Sequence, residues 1–433
     1  MGRMLDRTGG AGLVVLALAL VLATASADGG VVPASSAALP YAPAVAVIDL
    51  FGSDTRFVHQ SAVGRSSLVA EGTVRGEGSL RVTTDGDGQQ VNVRATAVPP
   101  IDLRDAHLRL VLRVDRPERL EHAYVYLSSD GFANYEAYRL LGGAEDGLAY
   151  VLPDEWIAVT VALGTPVARV GREGADLGRI TDLQLSWVDR GGGPVTADVD
   201  VLEAIARPGR GVVSLVFDDA RDGVYRLARP LLDRHGLRAS VAAIVELVGT
   251  PGFMSLQELQ ALERFAGWDV VAHHTSALPD DVGFADLDDE AVLAELLGAR
   301  AWLLAHGFRR GADHLVYPYG GFDARSIALV RGVFASGRTI VRGLGLETLP
   351  PADPYRIRAL SVTERDAPEA LIAAIDRAAR ERAWLVLVFH RVVEGAPDGD
   401  TAYRGQDLAA VVAHLAAADV DVLTLPEALT ADR

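Results

Sequence analysis

The order of apolar and polar positions divides the chain into two halves with different periods. Between residues 46 and 206, short runs alternate with a period of two, as in Leu108–Val114, Ala123–Leu127 and Leu183–Val188. Gly and Asp residues separate these runs, and no long helical pattern interrupts them. Because such alternation buries one face of each strand and leaves the other polar, it predicts an antiparallel β-sandwich of the jelly-roll kind.

From residue 207 to residue 433, apolar strands alternate with amphipathic stretches of helical period. The run Gly211–Phe217 is almost wholly apolar, a second buried strand is predicted at 384–389, and the longest helical stretch lies at 288–306. Strands that are apolar throughout are covered on both faces, and their alternation with helices indicates parallel βα units. The sequence therefore predicts a second, α/β domain over 207–433.

The N-terminus has the pattern of an export signal. Two arginines precede an unbroken apolar run at 12–23, which is followed by the small residues Ala25-Ser26-Ala27. This predicts a secretory signal peptide over 1–27, and the alternative of an uncleaved membrane anchor is disfavoured because a span needs roughly 20 apolar residues. Residues 28–45 are predicted to be a flexible leader. We expect a secreted or cell-surface protein with no stable membrane span after cleavage.

Composition narrows the chemistry. The 433 residues carry 41 basic and 58 acidic side chains, a net charge of −17, which disfavours general binding to nucleic acid. The chain has no Cys, so disulfides, thiolate zinc sites and cysteine nucleophiles are excluded. A metal site in this protein must use His and carboxylate side chains.

Polar side chains follow four of the predicted strands at the point where each strand ends. Taken singly, an aspartate pair caps a helix and a Tyr-Gly pair makes a turn. Because the carboxyl ends of parallel strands meet at one edge, we expect these residues to converge. Carboxylate and imidazole groups there can bind a divalent cation and act as general base and acid. The residues are Asp218, Asp219, His273, His274, Tyr319 and His390.

The order and flanks of these segments resemble the polysaccharide deacetylase (NodB-homology) family. Leu215-Val216-Phe217-Asp218-Asp219 matches its first motif, Tyr317-Pro318-Tyr319-Gly320 matches the third, and Leu387-Val388-Phe389-His390 matches the last. The likeness covers roughly residue 212 to the C-terminus. It implies a distorted (β/α) barrel that removes N-acetyl or O-acetyl groups from a polysaccharide or glycan with the help of a divalent metal ion, for which zinc is expected.

The resemblance also implies roles for individual residues. Asp218 would be the general base and Asp219 a metal ligand. The backbone N–H of Tyr319 would stabilise the oxyanion, and His390 would be the general acid that protonates the leaving group.

The second motif of the family, H-[S/T]-x-x-H, is matched only in part. His274 fits its flanks as the first metal-binding imidazole, which places the second at Leu278; a shift by one residue makes His273 the first and Ala277 the second. The second imidazole is absent in both registers. Three outcomes remain: a third ligand from Asp280 or Asp281, water as the third ligand, or a site that binds glycan without cleaving it.

Two further expectations concern the family's arginine and the sandwich. The arginine that steadies the base in the family's third motif falls at Val316 and is absent there. The sandwich resembles jelly-roll carbohydrate-binding modules, with Trp156 and Trp187 as candidate sugar-stacking residues, although tryptophans in such sandwiches often lie in the core.

The function predicted first is an exported, metal-dependent carbohydrate deacetylase. A non-catalytic cell-surface glycan-binding protein is the alternative. A glycosidase fits less well because its two carboxylates must flank one bond at about 5 Å or more, whereas neighbouring residues such as Asp218 and Asp219 diverge at a strand exit.

Overall fold

The computed structural model describes residues 43–70, 73–142, 150–341 and 346–430. The predicted signal peptide and nearly all of the predicted leader lie outside these residues. Within the described part of the chain, no helix has the length and apolar character needed to cross a membrane.

The N-terminal half is built from twelve described strands. They are β1 (Ala44–Asp49), β2 (Val58–His59), β3 (Arg65–Val69), β4 (Ser79–Thr83), β5 (Gln90–Ala95), β6 (Ala106–Val114), β7 (Leu120–Ser128), β8 (Tyr135–Leu141), β9 (Ile157–Val161), β10 (Ala168–Val170), β11 (Asp182–Asp189) and β12 (Thr196–Ala206). One antiparallel sheet has the order β3-β4-β12-β6-β9 with β1 beside β12, and the other has the order β10-β8-β7-β11-β5-β2. The predicted antiparallel β-sandwich is confirmed.

The core of the sandwich follows from the period-two alternation. In β11, Leu183, Leu185 and Trp187 belong to the buried apolar cluster, whereas Gln184 between them pairs with side chains on the opposite face. Trp187 is therefore a core residue, which corrects its candidacy as a sugar-stacking residue. Trp156 is half-buried, and the guanidinium of Arg113 lies 5.1 Å from its ring centroid.

The C-terminal half contains a parallel sheet with helices around it. Its strands are β13 (Gly211–Phe217), β14 (Ser240–Ile244), β15 (Asp269–His274), β16 (His314–Val316), β17 (Ser336–Arg338), β18 (Leu360–Ser361), β19 (Trp384–Phe389) and β22 (Val420–Val422), and a separate pair is formed by β20 (Arg391–Val393) and β21 (Ala402–Arg404). The helices are α1 (Arg229–Asp233), α2 (Leu256–Ala261), α3 (Asp289–Ala305), α4 (Ala324–Val333), α5 (Pro368–Glu381), α6 (Gly405–Ala417) and α7 (Leu425–Thr430).

The parallel sheet curves round into a barrel. Its strand order is β17-β16-β15-β14-β13-β19-β18, with β22 also beside β13. The N–H of Thr339 donates to the carbonyl of Ile357 at 2.9 Å, and the N–H of Val341 donates to that of Ala359 at 3.1 Å. These bonds join the segment after β17 to the segment before β18 and close the circuit. The expected (β/α) barrel is confirmed.

Buried polar contacts join the sandwich to the barrel. The guanidinium of Arg358 lies 2.7 Å from the carboxylate of Glu347, both are buried, and Arg358 also donates to the hydroxyl of Thr160 in β9 at 2.9 Å. Arg356 makes an ion pair with Glu155 in the same region. Because Arg358 and Glu347 both belong to the barrel, the contacts that cross to the sandwich are the hydrogen bond of Arg358 to Thr160 and the ion pair of Arg356 with Glu155.

His107 of β6 is buried at the same junction. Its Nε2 lies 3.3 Å from the backbone carbonyl of Arg382, so this nitrogen carries the proton of a neutral imidazole. Burial lowers the pKa of His107 to about 3; the hydrogen bond to Arg382 opposes the shift, and the nearby charges of Arg207, Arg382 and Arg358 add to it.

We predict that His107 contributes to the acid sensitivity of folding. Between pH 6.5 and pH 3 the unfolded chain protonates this imidazole and the folded chain does not, so the free energy of unfolding falls as the pH is lowered, by at most about 1.4 kcal/mol per pH unit. His107→Gln should lose less stability than the wild type between pH 7 and pH 4 in urea denaturation. Parallel losses in the two proteins would contradict the assignment.

Candidate active site

The strand ends of the barrel converge on one cavity of about 310 Å³. In the parallel register Phe217 lies beside Phe389 and Val316 beside Arg338, so the residues that follow β13 and β19 emerge at the same level. The six residues that the sequence placed at this edge all lie in the cavity wall. The wall includes Asp218, Asp219, Arg221, His273, His274, Ala277, Leu278, Asp280, Tyr319 and His390.

Asp218 is a buried carboxylate held by an arginine that sequence analysis missed. Arg338 is fully buried in β17, and its Nη2 donates to Oδ2 of Asp218 at 2.6 Å. Burial by itself raises the pKa of Asp218, but the charges of Arg338, His390 and His273 outweigh burial and keep the pKa below its ordinary value. Asp218 is therefore ionised, and within the described residues its Oδ1 has no hydrogen-bond partner.

Arg338 supplies the charge that the sequence lacks at Val316. The two positions are in register on neighbouring strands, so an arginine on β17 reaches the carboxylate that an arginine on β16 would have reached. The available signal was an arginine within a short strand-like run, Ser336–Arg338, that is otherwise small and uncharged.

Asp219 faces an imidazole and a guanidinium. Its φ of +67° is unusual for a residue with a side chain and sharply turns the chain after β13. Oδ1 lies 3.7 Å from Nε2 of His273, and Oδ2 lies 3.3 Å from Nε of Arg221. Nδ1 of His273 lies 2.9 Å from the carbonyl oxygen of Val316. Because a carbonyl oxygen can only accept a hydrogen bond, Nδ1 carries the proton of the neutral ring. Nε2 therefore presents its lone pair toward Asp219.

His274 is held by the same kind of contact as His273. Its Nδ1 lies 2.6 Å from the carbonyl of Ser276, and burial lowers its pKa to about 3. The two imidazoles lie side by side, with ring centroids 4.6 Å apart, and both line the cavity. Nε2 of His273 lies 3.7 Å from Asp219, and the role of His274 as a metal ligand stays a prediction.

The described donor set falls short of a catalytic zinc site. Among the residues that the structure describes, no group of three His, Cys, Asp or Glu side chains is placed to hold a metal ion. Ala277 and Leu278, the two positions where a second imidazole was sought, both line the cavity. Asp280 lines it too, at an exposed position, whereas Asp281 is not part of its wall. Asp219 and His273 make two ligands, whereas catalytic zinc takes three from the protein.

His390 and Tyr319 also line the opening of the cavity. Nε2 of His390 lies 3.9 Å from Oδ2 of Asp218, and its side chain is 16% exposed, which gives it access both to the carboxylate and to the cavity. Tyr319 has a φ of +54° in the turn after β16 and is 55% exposed. Its hydroxyl donates to the carbonyl of Pro279 at 3.4 Å across the opening.

Comparison with known proteins gives one family match and several structural likenesses. Residues 206–333 match the family described as polysaccharide deacetylase. A search of curated proteins returned no match.

Three of the similar solved structures are an acetyl xylan esterase, a deacetylase and a pseudoenzyme. A family 4 acetyl xylan esterase from Clostridium thermocellum, in complex with a cobalt ion, is 16% identical over 51% of this chain and 90% of its own, with a TM-score of 0.36. A Streptococcus pyogenes deacetylase in complex with acetate is 21% identical over 39% of this chain and 71% of its own, with a TM-score of 0.33. A CE4 family pseudoenzyme from Bacillus anthracis is 14% identical over 51% of this chain and 66% of its own, with a TM-score of 0.36.

We predict a strong energetic coupling between Asp218 and Arg338. Arg338→Gln leaves a buried carboxylate without its cation and should lower the free energy of unfolding by about 3–5 kcal/mol. In the double variant with Asp218→Asn, neither charge remains, so the loss should be well below the sum of the two single losses. Urea denaturation of the four proteins measures the coupling.

Asp222→Asn is the matched control, since Arg338 pairs with Asp218 and Asp222 pairs with Arg226 near the surface. Its effect should add to that of Arg338→Gln within about 0.5 kcal/mol. Additive losses for the Asp218 pair would contradict the ion pair.

Proposed function

We propose that this chain, whose residues 206–333 match the polysaccharide deacetylase family, is an exported hydrolase that removes acetyl groups from a polysaccharide or glycan. The catalytic domain would be the barrel at 207–433, and the sandwich at 46–206 would be its carbohydrate-binding companion. The observation that carries the proposal is the ionised carboxylate of Asp218, held by Arg338 and 3.9 Å from His390 at the mouth of the barrel.

The reaction follows from these groups. Asp218 takes a proton from a water molecule as the water oxygen attacks the carbonyl carbon of the acetyl group. The backbone N–H of Tyr319 donates to the oxyanion of the tetrahedral intermediate. His390 then protonates the departing amine or alcohol as the carbon–nitrogen or carbon–oxygen bond breaks, and acetate is released.

A divalent ion, for which zinc is the expectation, would add polarisation of the carbonyl and of the water. Asp219 and His273 are the side chains placed to hold it. Because the described residues lack a third ligand, the steps above assign every proton transfer to the protein.

The second candidate function is a non-catalytic glycan-binding protein. The observation that favours it is the cavity wall at 277–278, where Ala277 and Leu278 stand at the positions of the missing imidazole. This candidate predicts affinity for sugar without release of acetate.

We predict that Asp218→Asn abolishes hydrolysis. Loss of the general base should lower acetate release from an acetylated polysaccharide by about 10²–10⁴-fold. Enzymatic detection of acetate measures the rate, and circular dichroism checks that the variant folds.

The control is Asp222→Asn, four residues along the same segment, where the carboxylate pairs with Arg226 near the surface. It should keep the wild-type rate. Equal rates for Asp218→Asn and the wild type would refute the role of Asp218. A wild type that releases no acetate but binds the polysaccharide would establish the second candidate.

We further predict that a single substitution completes the metal site. In the register with His273 as first ligand, Ala277→His places an imidazole four residues on and should tighten zinc binding at least about tenfold in calorimetric titration. Leu278→His is the matched control, since it completes the other register, in which His274 is the first ligand. Tighter binding by Leu278→His alone would return the ligand role to His274.

A further inference from the structure

The second sheet of the sandwich carries a row of aromatic rings on its outer face. In β7, Ala123, Val125 and Leu127 enter the core, so the intervening residues lie on the opposite side of the sheet. The rings on that side continue from β7 onto the loop after it and onto β8, and all are half-buried. We name this row the aromatic platform: His122, Tyr124, Tyr126, Tyr135 and Phe132.

The rings of the aromatic platform are in continuous contact. His122 stacks on Tyr124 with centroids 4.4 Å apart, and Tyr124 and Tyr126 are 6.3 Å apart along the same strand. Tyr135 lies 5.7 Å from Tyr126 and 6.2 Å from Phe132, across the gap between β7 and β8. The result is an apolar surface several rings long that is supported by a sheet and therefore fixed in shape.

A connected set of polar side chains borders the platform on β11 and β5. The guanidinium of Arg94 donates to the side-chain oxygen of Gln184 at 2.6 and 2.9 Å and lies 4.1 Å from the ring centroid of Phe132. Gln184 donates in turn to Asn92 at 3.1 Å, and Gln90 donates to Asn92 at 2.7 Å. These bonds fix the orientation of amide groups that carry both donors and acceptors.

Two local features indicate that this face is built for a ligand. Phe132 has a φ of +68°, a strained conformation for a bulky residue, and its N–H is held by the hydroxyl of Ser128 at 2.9 Å. Ser186 is in register between Tyr124 and Asn92, and its buried hydroxyl has no hydrogen-bond partner among the described residues. The positive φ thus belongs to the residue that carries the last ring of the aromatic platform.

We infer that the aromatic platform and its amide border form a binding site for a neutral polysaccharide chain. A pyranose ring has an apolar face of C–H groups that packs on an aromatic ring, and hydroxyls at its rim that exchange hydrogen bonds with amides. Phosphodiester chains also stack on aromatic rows, but the net charge of −17 opposes them. The inference rests on the carbohydrate-binding role proposed for the sandwich and does not depend on catalysis in the barrel.

The test is a comparison of polysaccharide binding by the full chain and by the double variant Tyr124→Ala/Tyr126→Ala. The probes are a soluble xylan, a soluble β-glucan and glycol chitin in affinity gel electrophoresis, with poly(dT) as the nucleic-acid probe. We expect at least one of the three polysaccharides to retard the wild type. Loss of two rings should weaken that binding roughly tenfold per ring.

Phe265→Ala is the matched control, because Phe265 is an exposed aromatic residue, 74% accessible, on the barrel. Phe265→Ala should bind the polysaccharide as tightly as the wild type does. The double variant should hydrolyse p-nitrophenyl acetate at the wild-type rate. Thermal unfolding separates lost binding from lost folding, since outward tyrosine pairs also stabilise sheets. The inference is overturned if no polysaccharide retards the wild type, if the folded double variant binds equally well, or if poly(dT) alone binds.

Discussion

The ion pair between Asp218 and Arg338 is the interaction on which the candidate site depends. Both side chains are buried at the mouth of the barrel, where an unpaired carboxylate would take up a proton and cease to be a base. The guanidinium keeps the carboxylate charged and donates to its Oδ2. Nε2 of His390 lies 3.9 Å from the same oxygen, and in the proposed reaction Asp218 would accept a proton and His390 would donate one.

The groups for proton transfer are more complete than the groups for holding a cation. Asp218, Arg338 and His390 form one connected set, whereas Asp219 shares its two oxygens between His273 and Arg221. A guanidinium beside a carboxylate supplies positive charge at a place where a divalent ion would otherwise supply it. Stabilisation of a developing oxyanion requires oriented positive charge or hydrogen-bond donors, and the positive charges beside the two carboxylates are those of Arg338 and Arg221.

In the proposed function, the sandwich and the barrel would divide recognition and chemistry between two kinds of surface. The barrel mouth is a small cavity that admits one reacting group, and the outer sheet of the sandwich is an open row of rings suited to an extended chain. The hydrogen bond of Arg358 to Thr160 and the ion pair of Arg356 with Glu155 join the two halves. A polymer held by one surface is thereby kept at high local concentration near the other.

The sequence by itself determined the two architectures and the edge at which the chemistry lies. Period-two alternation specifies a sandwich, all-apolar strands between helices specify a parallel barrel, and strand ends then bring Asp218, Asp219 and His390 together whatever the details of packing. Tertiary structure decided the rest. Whether Arg338 meets Asp218 depends on the register of β16 and β17, and whether His273 or His274 faces Asp219 depends on the direction in which a strand exits. The aromatic platform extends from Tyr126 to Phe132 only because β7 pairs with β8. Trp187 lies in the core because its side of β11 faces the other sheet. These are contacts between residues far apart in the chain, and local periodicity contains no information about which distant side chain will occupy a given neighbouring position.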